Sequence, residues 1–78
     1  METAHFLVRV NSVNTVEMYL EDYYGRDVDD FVLDVQPDKD GVVVTTVAMD
    51  SYEIDDFYAV LESEYGYLAV TQLTWGNY

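Results

Sequence analysis

The stretch from Val42 to Gly66, VVVTTVAMDSYEIDDFYAVLESEYG, changes its period halfway along, and that change decides the fold. Val42 to Met49 is rich in β-branched side chains and predicts a strand. From Ile54 onward the apolar positions fall at helical spacing, as Ile54, Phe57, Tyr58, Leu61 and Tyr65, which predicts a helix with one buried stripe. The junction carries its own signals. Asp50 and Glu53 are spaced as a capping box, Met49 and Ile54 as a hydrophobic staple, and Gly66 stands where a helix stop is expected.

The same order of signals recurs upstream. His5 to Val10 alternates, with Phe6, Val8 and Val10 on one face and His5, Leu7 and Arg9 on the other, as in a half-buried strand. Val16, Tyr19, Leu20 and Tyr23 then recur at helical spacing, Asn14 with Glu17 predicts a capping box, Val13 with Met18 a staple, and Gly25 follows Tyr24 as Gly66 follows Tyr65. Phe31 to Gln36 predicts a second strand, with Phe31, Leu33 and Val35 on one side and Val32, Asp34 and Gln36 on the other. The Pro-Asp-Lys-Asp-Gly run from Pro37 to Gly41 is a turn that joins it to the next strand as a hairpin, and Tyr67 to Trp75 completes the set. The order βαββαβ, with right-handed crossovers, predicts an α+β, ferredoxin-like sandwich: a four-stranded antiparallel sheet with both helices on one face, in a single acidic domain over residues 1–78. The name describes topology only, since the chain has no cysteine to hold an iron–sulfur cluster.

Composition turns the question from fold to partner. Sixteen Asp and Glu residues against three Lys and Arg give a formal charge of −13 in 78 residues. Such a density works against the compact state by self-repulsion and draws in basic surfaces. It also opposes direct binding to nucleic acid or anionic lipid, so neither a nucleic acid nor a membrane is expected as a partner. The absence of cysteine excludes a disulfide framework, a thiolate metal site and a cysteine nucleophile. Met1 to Asn11 lacks the basic start and long apolar run of a signal peptide, and a reducing cytoplasm is the expected setting.

The carboxylates are placed in a pattern. Glu17, Glu21 and Asp22 lie off the apolar stripe of the first helix, and Glu53, Asp55, Asp56, Glu62 and Glu64 flank or oppose that of the second. With both helices on one sheet face, these side chains form one acidic layer, extended by Asp27, Asp29 and Asp30 in the linker after the first helix. Carboxylates at i and i+4, such as Glu17 and Glu21, stand about 6 Å apart at Cβ, comparable to successive phosphates of one strand. A scaffold holding such pairs can occupy the Lys and Arg contacts that normally neutralise a DNA backbone, so the expected partner is a basic nucleic-acid-binding protein. Tyr24, beside Asp22 and Asp27, is the ring expected to stack on a partner arginine. The plainer reading of the same charge is a solvated, solubilising surface.

A short, acidic, cysteine-free domain without a catalytic signature resembles the small inhibitors that bacteriophages encode against host defence, such as anti-CRISPR and anti-restriction DNA mimics. The resemblance is one of character, with no motif to align, so it transfers no functional residue. It implies a CRISPR effector, restriction enzyme or similar basic protein as target, met in the host cytoplasm and blocked at its substrate groove.

A second class of function uses the sheet. Leu7, Val32 and some of Val42, Val44, Leu68 and Val70 are expected to leave an apolar patch on the face away from the helices, flanked by His5, Arg9 and Asp34, suited to an interaction module or a homodimer. Catalysis is not expected. His5 is the one histidine, Ser12 and Ser51 adjoin helix starts where capping explains them, Ser63 falls on an outer face, and paired carboxylates on convex surfaces lack the enclosure that separates their pKa values. No cofactor is expected, and no metal: the turn around Asp38 and Gly41 lacks the first carboxylate and final Glu of a calcium loop. Tyr19, Tyr23, Phe57, Tyr58 and Tyr65 read as core, while Tyr24, Tyr52, Trp75 and Tyr78 read as less buried.

Overall fold

The structure is a computed structural model that describes residues 2–38 and 41–73. Strand β1 (Glu2–Val8) leads into helix α1 (Val13–Tyr24), a 3₁₀ turn (Gly25–Asp27) and a one-turn helix α2 (Val28–Phe31). Strands β2 (Val32–Pro37) and β3 (Val43–Met49), helix α3 (Ser51–Tyr65) and strand β4 (Val70–Leu73) follow. The fold is α+β, with an antiparallel four-stranded open sheet in the order β2-β3-β1-β4 and two long helices.

Register explains which side chains are buried. Phe6 lies opposite Thr45 and Gln72, and Val8 opposite Val43 and Val70, so these residues share the helix-facing side. Ala4, Phe6, Val8, Val43, Val47 and Met49 from that face join Val16 and Leu20 of α1 and Ile54, Phe57 and Leu61 of α3 in one core cluster. Phe6 anchors it, with the Phe57 ring centroid at 5.3 Å and the Tyr58 ring edge-on at 5.7 Å. Full burial of each such side chain contributes about 1.5–3 kcal/mol. Thr45 is fully buried in the same layer, and its hydroxyl has no hydrogen-bond partner among the described residues.

The second helix begins as its sequence predicts. Asp50 is the N-cap, the box with Glu53 closes, with the Asp50 amide donating to Glu53 Oε1 at 3.2 Å, and Met49 and Ile54 are both buried. Ser51, expected to cap, instead donates its hydroxyl to the Glu2 carboxylate. Both glycine stops form: Gly25 at φ 68° and Gly66 at φ 88° lie where L side chains are strained, and their amides donate to the carbonyls of Glu21 and Glu62.

The first helix departs from its sequence reading. It starts after Ser12, so N3 is Thr15, not a Glu, and neither the Asn14–Glu17 box nor a Ser12 side-chain cap forms. Val13 packs against the core, whereas Met18 is 63 % exposed, so there is no staple. Tyr23 is 58 % exposed and Tyr24 takes the inward place.

Strand β2 also differs. Val32 pairs with Val47 and Asp34 with the adjacent Thr46, which leaves Leu33 as the extra residue of a bulge. The bulge lets Val32 and Val35 both pack against the core and turns Leu33 outward, 60 % exposed. Alternation from Phe31 therefore places Val32 and Leu33 on the wrong sides. The last strand is shorter than expected, with residues 67–69 in a turn and Leu68 77 % exposed. Trp75, Tyr78, Lys39 and Asp40 lie outside the described residues.

Candidate functional site

The acidic residues sit where burial of the opposite face puts them. Because Val16 and Leu20 point into the core, Glu17, Glu21 and Asp22 are exposed on α1. Burial of Ile54, Phe57, Val60 and Leu61 leaves Glu53, Asp55, Asp56 and Glu64 exposed on α3, with Glu62 half-buried. Asp27, Asp29 and Asp30 are exposed too, yet they do not belong to an open linker. Buried Val28 pins the 3₁₀ turn and α2 to the core, so these three carboxylates are held on a helical turn. Arg26 is the cation within this segment. Among the described residues, no group of His, Cys, Asp or Glu is arranged to hold a metal ion, and no helix is long and apolar enough to cross a membrane.

Between the two long helices runs a seam of tyrosines. Tyr19 donates its hydroxyl to the Val60 carbonyl at 2.8 Å and meets the Tyr65 ring edge-on at 5.7 Å. Tyr24 stacks on Phe57 at 6.0 Å and meets Phe31 at 4.9 Å and Tyr23 at 4.8 Å. It is thus a packing residue rather than a free ring. Burial, the Tyr23 and Tyr19 hydroxyls and the Asp56 carboxylate push its pKa up to about 12. Tyr19 and Tyr65 are likewise raised, first by burial and then by Glu64. All three stay neutral at physiological pH. Within the seam the exposed ring is Tyr23, which lines a shallow hollow of about 470 Å³ with Tyr24, Asp56, Ala59, Val60 and Ser63.

A second hollow, of about 220 Å³, lies between α1, α2 and β2. Leu20, Val28, Val32, Leu33 and Val35 supply its apolar lining, and Glu17, Glu21, Asp29 and Asp34 supply carboxylates. Its lining comes from three successive elements, and Val32 and Val35 both face the helix side only because of the bulge at Leu33, so periodicity alone does not reveal it.

The open sheet face is less apolar than expected. Val32 and Val70 join the core side, leaving Leu7 opposite Val44 and Thr71 as its apolar centre. His5 Nδ1 lies 2.9 Å from Thr46 Oγ1 beside them. No family model matches the chain, and comparison with curated proteins and with solved structures finds no match.

Proposed function

We propose that this chain is a small acidic inhibitor that binds a basic nucleic-acid-binding protein, such as a CRISPR effector or restriction enzyme, and covers the groove that takes nucleic acid. It acts without catalysis, in the cytoplasm, with the two helices and the turn between them standing in for a phosphate backbone. One observation carries the reading: the exposed carboxylates of α1, α2 and α3 are fixed on helical turns anchored by buried neighbours, so their spacing is set rather than averaged. Fixed charge opposite a cationic groove displaces counterions much as phosphate does. Tyr23 beside Asp56 adds a surface on which an arginine plane can stack. The element order, with β1 between β3 and β4, supports assignment to the ferredoxin-like class of split βαβ folds.

The test is capture of partners on the immobilised protein, with nuclease added, followed by competition between the captured protein's own nucleic acid and this chain. Binding should weaken steeply with salt and be mutually exclusive with nucleic acid. The triple variant Glu17→Gln, Glu21→Gln, Asp22→Asn should lower affinity by about tenfold or more, at roughly 0.5–1 kcal/mol per lost contact. Salt-insensitive binding that coexists with nucleic acid overturns the proposal.

A further inference from the structure

We infer that the hollow between α1, α2 and β2 is a docking groove for an extended partner segment in which Lys or Arg alternates with apolar residues, the segment adding to β2 as a fifth strand. Strand β2 is an edge: it pairs with β3 and, among the described residues, has no strand on its other side. Such an edge offers backbone donors and acceptors to an incoming chain, and pockets beside it choose the side chains. Here the groove beside the edge has Leu20, Val28 and Val35 in its apolar lining and Leu33 standing 60 % exposed along the strand. Glu17, Glu21, Asp29 and Asp34 also line it, so a cation is what it complements. Lys and Arg meet both demands at once, laying the hydrocarbon stem on the apolar lining and delivering charge to the carboxylates.

Charge also decides against a second copy of this chain as occupant. A net charge of −13 on each partner would set like charges against each other across the edge. Pro37 has no N–H to donate, so the run of β2 open to an added strand ends at Gln36. This site does not depend on the nucleic-acid-mimic reading, because a short peptide carries no nucleic-acid groove.

The experiment is a chemical-shift titration of the isotope-labelled protein with a hexapeptide alternating Lys and Val, with hexalysine and a version of the first peptide methylated on every backbone nitrogen as controls. The alternating peptide should shift the amides of Val32 to Gln36 and of Glu17 to Glu21, and should retain most of its affinity at about 0.5 M salt, where hexalysine loses its own. The double variant Glu17→Gln, Glu21→Gln should weaken it by about tenfold, and Leu33→Ser, at an exposed position that leaves the core intact, by a few-fold. Equal binding by the methylated peptide, or shifts spread over α3 with no preference for β2, overturns the inference. Failure here leaves competition with nucleic acid untouched, and failure of that competition leaves this titration untouched.

Discussion

The two halves of this protein carry nearly the same string of local signals, and only the second half uses them all. Around α3 the capping box closes, the staple residues Met49 and Ile54 are both buried, and the helix buries Ile54, Phe57, Val60 and Leu61. Around α1 the box stays open, Met18 is exposed, and the helix buries Val16 and Leu20. The difference lies in where each helix starts. Asp50 follows a strand whose last residue is buried, so packing and capping select the same N-cap; Ser12 becomes the N-cap of α1 because Val13 packs against the core, and Thr15 then occupies the position a Glu would need. Local motifs therefore hold where tertiary packing agrees with them and yield where it does not.

Both halves rest on one core, and losses there should be the largest. Phe57→Ala should cost about 3–5 kcal/mol in urea unfolding, because the ring contacts Phe6, Tyr24 and Phe31 and touches both halves. Leu20→Ala, which opens space chiefly under α1, should cost about 2–4 kcal/mol. A smaller change of opposite sign is expected at Thr45. Thr45→Val keeps the shape and removes a buried hydroxyl without a partner, so it should stabilise by about 1–2 kcal/mol, read as a higher urea midpoint with unchanged slope.

The caps of the two helices should respond differently. Asp50→Ala should cost about 1 kcal/mol, whereas Asn14→Ala, at a box that does not form, should stay within about 0.5 kcal/mol of the parent. Equal losses at the two sites would mean that the halves are capped alike in solution. The tyrosine seam adds a pH dependence. The folded pKa of Tyr24 lies at about 12, above the ordinary 10, so the folded state holds this proton more tightly than the unfolded chain does. Its contribution is fully present below pH 10 and is lost as pH rises through 12. Tyr24→Phe should flatten the fall in urea midpoint across that window, and phenolate absorbance should report the delayed ionisation.

Much of this architecture can be read from the residues themselves. The alternation of β1, the β-branched run of β3, the Asp50–Glu53 junction and both glycine stops each follow from signals within a few residues of one another. Three features escape such a reading. The α2 turn buries Val28 with partial cover from Phe31, too short a run to express a helical period. The bulge at Leu33 reverses side-chain parity, and nothing nearby announces it. Tyr23 and Tyr24 are neighbours of equal character, and only the position of Phe57 across the helix seam decides which one turns inward. The acidic positions were legible because they are what remains after the core is assigned, while the groove beside β2 depends on the α2 turn and on the bulge and was not.

The place of β1 in the sheet also has a consequence for the timing of synthesis. Residue Phe6 meets its partners Thr45 and Gln72 from opposite sides, so β1 waits for strands that are made after it. Of the strand pairings, the β2–β3 hairpin alone joins neighbours in sequence, and as the chain leaves the ribosome it is the one pairing available early. Until β4 emerges, the apolar faces of β1 and α1 have no complete layer to rest on, and mutual repulsion among carboxylates already synthesised keeps nascent chains apart. The charge spread over the folded surface thus serves, during synthesis, as the chain's own safeguard against clumping.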